Sequence, residues 1–282
     1  MTVHSILGAN AGFNGFRNEE FITITQQTHD TLIGAEDLSP ANEDINKCLS
    51  AFVSAVLNVS DDNVPDILGS ARIQELRQGM LPRLSVAEFE MEKHFGQHFA
   101  NAGAIHTTNL DEFWYRQCYK DLVQEEVDAG RSLGITFNEH SRIYFVGSGP
   151  LPMTAIDMHL ITGAQITCID CDENAVELSS KMIENLGLSD VIHVSKSEAC
   201  DVDYGQGDVI FVASLVANKK DVVAKIRETA PHAYVGVRSV EGIKAMLYEP
   251  VNHDAFTENG LTYLGSSQDT HGTINTTLFF KP

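Results

Sequence analysis

Near residue 140 the hydrophobic pattern changes period, and that change decides the fold class. Upstream, from about Glu20 to Val127, apolar residues recur at three- and four-residue intervals. Examples are Leu49, Phe52, Val53, Val56 and Leu57, then Leu84, Ala87, Met91, Phe95 and Phe99. That is the spacing of one face of an α-helix. Downstream, Ile143-Tyr-Phe-Val146 is a short apolar run stopped by Gly147. From there, runs of strand length alternate with helical stretches, the signature of a mostly parallel, doubly wound sheet.

The upstream half predicts four to six helices, broken near Ser39-Pro40, Asp61–Pro65, Pro82 and Gly103, and no strand. Its first fifteen residues are polar and Gly/Asn-rich and read as loose. The downstream half predicts strands over 143–146, 165–170, 191–195, 208–213 and 233–237. Helices are expected over 154–161, 174–186, 220–229 and 242–247, and a terminal strand pair ends in Thr276–Phe280. The expectation is an N-terminal all-helical domain over 1–138 and an α/β Rossmann-type domain, like that of class I methyltransferases, over 139–282.

Charge and cysteine usage exclude several function classes. Lys and Arg number 19 against 39 Asp and Glu, a formal charge of −20. Such a surface repels a phosphate backbone, so nucleic acid is not an expected partner. No stretch approaches 18 consecutive apolar residues, so no membrane span is expected. The first residues lack a basic start followed by an apolar run, which reads as a cytoplasmic protein. Cys48, Cys118, Cys168, Cys171 and Cys200 are odd in number and irregularly spaced, as reduced thiols are. Cys168 and Cys171 form a C-x-x-C pair, but no second Cys or His pair has metal spacing. His94 and His98 stand at i, i+4 without the glutamate of a metalloprotease, so packing or surface roles are expected for them.

The informative segment is Gly147-Ser-Gly-Pro-Leu-Pro-Met-Thr154. Gly147 and Gly149 let the backbone turn tightly and approach a ligand closely. Pro152 suits the first turn of a helix, whose free N–H groups can meet a carboxylate or hydroxyl. Asp170 ends the next predicted strand, where an acid commonly accepts hydrogen bonds from a ribose diol. Asp172 is the competing acid. Glu198 follows the third strand and could take an adenine amino group, or be a solvated loop acid. A dinucleotide site would want a small residue where Leu151 stands. Leu151 and the two prolines crowd the place of a pyrophosphate, which favours S-adenosylmethionine over NAD.

The same loop resembles the cofactor loop of nicotianamine synthases. The likeness continues through Ile169-Asp-Cys-Asp-Glu-Asn-Ala-Val-Glu-Leu-Ser179 and Asp208-Val-Ile-Phe-Val-Ala-Ser-Leu-Val216. It extends into Arg238 and Gly242-Ile-Lys-Ala-Met-Leu-Tyr-Glu-Pro-Val251, and Glu90-Met-Glu-Lys93 and Phe113-Trp-Tyr-Arg-Gln-Cys-Tyr119 carry it in the helical half. Roughly residues 80–282 are covered. This family, which includes bacterial enzymes making opine-type metallophore precursors, implies transfer of the 3-amino-3-carboxypropyl arm of S-adenosylmethionine to an amine, with methylthioadenosine released. The acceptor would be an amino acid, histidine or a further aminobutyrate unit. S-adenosylmethionine would be a co-substrate, and catalysis would need no metal. The chain lacks a Phe-Pro-Tyr-Tyr run of the plant members, with Trp114 and Tyr115 in that region. A homodimer is compatible with the sequence.

The resemblance also implies roles. Gly147, Ser148, Gly149, Pro150, Leu151, Asp170, Cys171, Glu198 and Ala213 would contact the cofactor. Glu90 would be the base or the anchor of the acceptor amine; as a bare helix acid it would simply pair with Lys93. Tyr119 would set its hydroxyl against the reacting amine or the arm's carboxylate, where a packing tyrosine is the alternative. Tyr115 would line the acceptor site and, with Trp114, offer an aromatic face to a sulfonium. Arg238 would bind a carboxylate through its fork, or form a structural ion pair. Ser85-Val-Ala-Glu88 reads as a helix capping box, which gives Glu88 a structural explanation. An ordinary methyltransferase is the alternative reading of the whole chain.

Overall fold

A strand reading Val209-Ile-Phe-Val212, with no polar interruption, has no face to give to water. All four of these residues are buried. The computed structural model describes residues 18–268 and 273–282, so the Gly/Asn-rich first fifteen residues lie outside the described residues. Seven strands form one sheet: β1 (Arg142–Val146), β2 (Gln165–Asp170), β3 (Ile192–Lys196), β4 (Val209–Val212), β5 (Tyr234–Ser239), β6 (Thr262–Ser266) and β7 (Thr276–Lys281). Their spatial order is β3-β2-β1-β4-β5-β7-β6. The first five pair in parallel and β7 runs antiparallel to both β5 and β6. Connections from β1 lead one way to β2 and β3 and the other way to β4 and β5. The strand order therefore reverses between β1 and β4, which is where open α/β sheets leave a crevice beyond the strand ends.

The helices are α1 (Asn18–Gly34), α2 (Glu43–Leu57), α3 (Val64–Gly69), α4 (Ala71–Asn101), α5 (Arg116–Ser132), α6 (Met153–Thr162), α7 (Glu173–Asn185), α8 (Lys219–Thr229) and α9 (Asp254–Thr257). Expected boundaries in the α/β half agree to within about two residues. The segment expected as a helix over 242–247 is a 3-10 turn, Gly242–Met246.

Two compact units divide the chain. One runs to His94 and takes in Val240–Pro250; the other comprises Phe95–Ser239 and Val251–Pro282. In the first, Phe21 of α1 meets Phe52 of α2 with ring centroids 6.3 Å apart, and Ile45, Ile73 and Met80 are buried as well. Asn42 caps α2, its side chain accepting from the backbone N–H groups of Asp44 and Ile45. Arg77 fastens the 240–250 segment, donating from Nε to the Ala245 carbonyl at 2.6 Å and from Nη2 to Glu249 at 2.7 Å.

Two local readings fail in α4. Pro82 does not break the helix, although an internal proline costs about 3 kcal/mol. The turn beyond it is anchored from outside: Arg83 Nε donates to the Leu32 carbonyl at 3.0 Å, and Leu84 is buried. Ser85 is consequently mid-helix. Its hydroxyl donates back to the Leu81 carbonyl at 3.0 Å, so the expected capping box with Glu88 does not form.

The compact units also divide at a different place from the change of period at residues 138/139. Helix α5 is helical in sequence yet packs with the sheet, because two buried ion pairs fasten it there. Arg116 binds Asp157 of α6 through both terminal guanidinium nitrogens, Nη1 and Nη2, with both residues at most 5% exposed. Glu126, fully buried, takes Arg238 of β5 at 2.9 and 3.1 Å. Periodicity reports the local element, whereas packing decides its neighbours.

Candidate active site

The loop after β1 is built for backbone approach. Gly147 has φ +75° and Gly149 φ +68°, in the left-handed region that glycine enters without a Cβ clash. A Cβ on Gly147 would lie 2.5 Å from Val216 Cγ2, so the turn is also closed against the segment following β4. That segment is registered by Ala213, whose N–H donates to the Val146 carbonyl at 3.0 Å. Gly147 and Ala213 thus meet at the reversal of strand order.

Asp170 organises the turn. One carboxylate oxygen accepts from the Gly149 N–H at 2.8 Å and the other from the Asp172 N–H at 3.0 Å. The Gly147 and Ser148 N–H groups approach the Ile169 carbonyl at 2.8 and 3.3 Å. Each carboxylate oxygen keeps a second lone pair for a ligand hydroxyl. Asp172 is occupied elsewhere, because it caps α7 by accepting from the Ala175 N–H at 2.7 Å. Ser197 N–H donates to the Asp170 carbonyl at 2.9 Å, which brings the end of β3 and hence Glu198 to this edge. The Cys171 thiol is raised by burial and further by the charges of Asp170 and Glu198, which stand close to it. Asp170, Cys171 and Glu198 therefore form one acidic rim.

Within the loop, Ser148 Oγ is buried and meets no hydrogen-bond partner. A lone buried hydroxyl costs about 1–3 kcal/mol, the kind of debt a ligand can cancel. Beside it lies Cys168, whose thiol burial pushes up to about 12 while Ser148 opposes the rise. Leu151 is 1% exposed, its side chain part of the core. The Met153 N–H donates to the Leu151 carbonyl at 2.7 Å, turning the chain into α6.

Two residues near the turn escape a reading of the sequence. Gly96 of α4 is one: a Cβ there would come 2.4 Å from the Pro150 carbonyl oxygen, so only glycine lets helix and loop touch. Its signal is a glycine inside a helical run. Lys219 is the other. Its ammonium donates to the Ser214 and Val216 carbonyls at 2.6 and 2.9 Å, and burial lowers its pKa to about 8.

The aromatic residues gather around Phe113. Tyr119 meets it edge-on with centroids 5.5 Å apart, Tyr115 at 6.1 Å, and Phe95 edge-on at 5.0 Å. Trp114 lies edge-on to Phe95 at 5.2 Å and is 37% exposed. Arg238 holds Glu126 in a two-pronged pair, and its Nη1 reaches Thr154 Oγ1 at 3.3 Å. Thr277 completes the group, donating to Glu126 at 2.6 Å. In the other unit, Glu90 is half-buried on α4 with Lys93 Nζ 3.6 Å away, the i, i+3 pair its spacing allowed. His98 pairs with Glu112 at 2.9 Å at the surface. Among the described residues, no group of three or more His, Cys, Asp or Glu is arranged to hold a metal ion. No described helix is long and apolar enough to cross a membrane.

Residues 17–281 match the family described as nicotianamine synthase protein. The chain belongs to the nicotianamine synthase family. Nicotianamine synthase 3 of Arabidopsis thaliana is 27% identical over 256 residues, covering 86% of this chain and 79% of that one. L-histidine 2-aminobutanoyltransferase of Pseudomonas aeruginosa is 30% identical over 164 residues, 57% of this chain and 58% of that one. A crystal structure of MtNAS in complex with MTA and tNA superposes with a TM-score of 0.79 at 21% identity, covering 93% of this chain and 97% of that one. A glutamate-to-glutamine mutant of MtNAS gives a TM-score of 0.81, also at 21% identity, over 94% and 98%. At that identity the likeness is one of fold.

Proposed function

We propose that this chain transfers the 3-amino-3-carboxypropyl arm of S-adenosylmethionine to the amine of an amino-acid acceptor, histidine or a further aminobutyrate unit, and releases methylthioadenosine, as a step in metallophore synthesis. The observation that carries this reading is membership of the nicotianamine synthase family over residues 17–281. The glycine turn agrees with it: two left-handed glycines, an acid bonded to one of them and an unpartnered buried hydroxyl suit a nucleoside bearing a carboxylate. S-adenosylmethionine bound there supplies a carbon already activated by positive sulfur, so the leaving group needs no acid.

The chain's own residues must then bind, orient and deprotonate. Asp170 accepts from the ribose hydroxyls, with Glu198 taking the adenine amino group and Cys171 and Ala213 lining the nucleoside. Backbone groups of Gly147–Leu151 and the Ser148 hydroxyl hold the rest of the turn's ligand. Arg238 and Tyr115 orient the acceptor or the arm, holding the amine in line with the carbon–sulfur bond. Glu90 removes a proton from the acceptor ammonium, since only the free amine has a lone pair; the new N–C bond forms as the C–S bond breaks. Tyr119 places its hydroxyl against the same nitrogen or the arm's carboxylate. A positioned base contributes typically about 10²–10⁴ in rate.

Mass spectrometry of products from purified protein, S-adenosylmethionine and candidate amino acids tests the reading. Methylthioadenosine together with an aminobutyrate-extended acceptor is the expected result. S-adenosylhomocysteine with a methylated product would overturn it in favour of a methyltransferase. Glu90→Gln should still bind S-adenosylmethionine and lose most turnover, and near-normal turnover would remove Glu90 from the mechanism.

A further inference from the structure

Lys219 breaks two local rules at once. It is the first residue of α8, an eleven-residue helix, where the positive end of the helix dipole disfavours a cation. It is also half-buried, and burial drives its ammonium towards neutrality. Local rules broken together at one position are a mark of a functional constraint.

What Lys219 does there is geometric. Its ammonium donates to the carbonyls of Ser214 and Val216, the two residues flanking Leu215 on the loop after β4. The loop is further held by the Val216 N–H approaching the Ala213 carbonyl at 3.3 Å, and by Asn275 Nδ2 donating to Ser214 Oγ at 3.0 Å. Val216 in turn occupies the space over Gly147 that a side chain would otherwise fill. Loop and glycine turn therefore have one joint shape. Without the ammonium, the Ser214 and Val216 carbonyls would seek water, and the loop would swing outward from the turn.

We propose that Lys219 is a positioning residue for the cofactor, tying down the Ala213–Asn218 loop so that Val216 holds the Gly147 turn in the shape that receives S-adenosylmethionine. This rests on the reading that S-adenosylmethionine binds at that turn. Lys219 itself touches no reacting atom. Its loss therefore acts on cofactor affinity and on the KM for S-adenosylmethionine, and much less on kcat at saturation.

The experiment is calorimetric titration of the full chain with S-adenosylmethionine, alongside steady-state kinetics. Four proteins are compared: wild type, Lys219→Met, Val216→Ala and the double variant. Lys219→Met should bind about tenfold more weakly, roughly the worth of one net charge-assisted hydrogen bond. Its kcat should stay within about twofold. Val216→Ala should also weaken binding, and the double variant should be no weaker than the worse single one, because both act through one contact. Wild-type protein that takes up no S-adenosylmethionine would overturn the binding reading itself. Wild type that binds, with Lys219→Met binding equally well, would overturn the positioning role alone, as would fully additive losses or a fall confined to kcat. Should Lys219→Met not fold, Val216→Ala decides: weaker binding supports the loop's role and unchanged binding refutes it.

Discussion

Replacing Gly96 by alanine sets two magnitudes against each other. In a helix interior, alanine is favoured over glycine by about 0.8–1.0 kcal/mol. Against that, the new Cβ would lie 2.4 Å from the Pro150 carbonyl oxygen and 3.1 Å from its carbon. Even a close carbon–oxygen contact needs about 3.3 Å, so helix and loop must separate by roughly 1 Å. The obstacle is backbone, with no side chain to rotate away. The Pro150 carbonyl sits between Gly149, tethered to Asp170, and Leu151, buried in the core. Overpacking of this kind typically costs about 1–3 kcal/mol. Set against the propensity gain, Gly96→Ala should destabilise by about 1 kcal/mol, a fall of roughly 2–4 °C in melting temperature. The larger effect should be on the glycine turn: a displacement near 1 Å at a positioning element can cost up to about 10² in activity. Thermal melts and calorimetry with S-adenosylmethionine measure both. Gly34→Ala, where a Cβ meets nothing within 4 Å, is the control and should leave affinity unchanged. If Gly96→Ala is stabilised like an open helix position and binds S-adenosylmethionine normally, the contact between α4 and the loop does not constrain the turn.

Three further outcomes are expected. Asp170→Ala should weaken S-adenosylmethionine binding and loosen the turn, since it deletes the acceptor of the Gly149 N–H; an unchanged dissociation constant would move the ribose contact elsewhere. Glu126→Gln should lower stability by about 3–5 kcal/mol in denaturant unfolding, because Arg238 keeps its charge while losing its buried counter-ion, and a loss under about 1 kcal/mol would contradict that burial. Raising the pH from 9 to 10.5 should destabilise the fold. Burial raises Cys118 from 9.0 to about 11 and Cys168 from 9.0 to about 12, so above pH 9 the unfolded chain releases two thiol protons that the folded chain keeps. Lys219 opposes this, holding its proton to 10.5 when unfolded but only to about 8 when folded, which leaves one thiol's worth of net loss between pH 9 and 10.5. Denaturant midpoints at pH 9 and 10.5 give the sign, and Cys168→Ala should flatten the slope between them.

The sequence alone determined most of the elements and the backbone shape of the turn. Burial leaves an inner strand no choice but a largely apolar run, as in β1 and β4, and tight turns leave no choice but glycine, so these strands and the turn glycines Gly147 and Gly149 were legible to within two residues, although β3 at the sheet edge is mostly exposed. Asp170 was legible because a strand end fixes where its side chain emerges. What the tertiary structure decided was every partner across the chain. That Arg238 would pair with Glu126 could not be read from its own neighbours, because Glu126 lies far from it in sequence and arrives on α5. The same holds for α4, which continues past Pro82 since Arg83 reaches the end of α1, and for Gly96, whose necessity is a carbonyl on a distant loop. Local rules are written by a residue's own backbone. Close packing is written by whatever the fold brings against it, and that information is spread over contacts no short window contains.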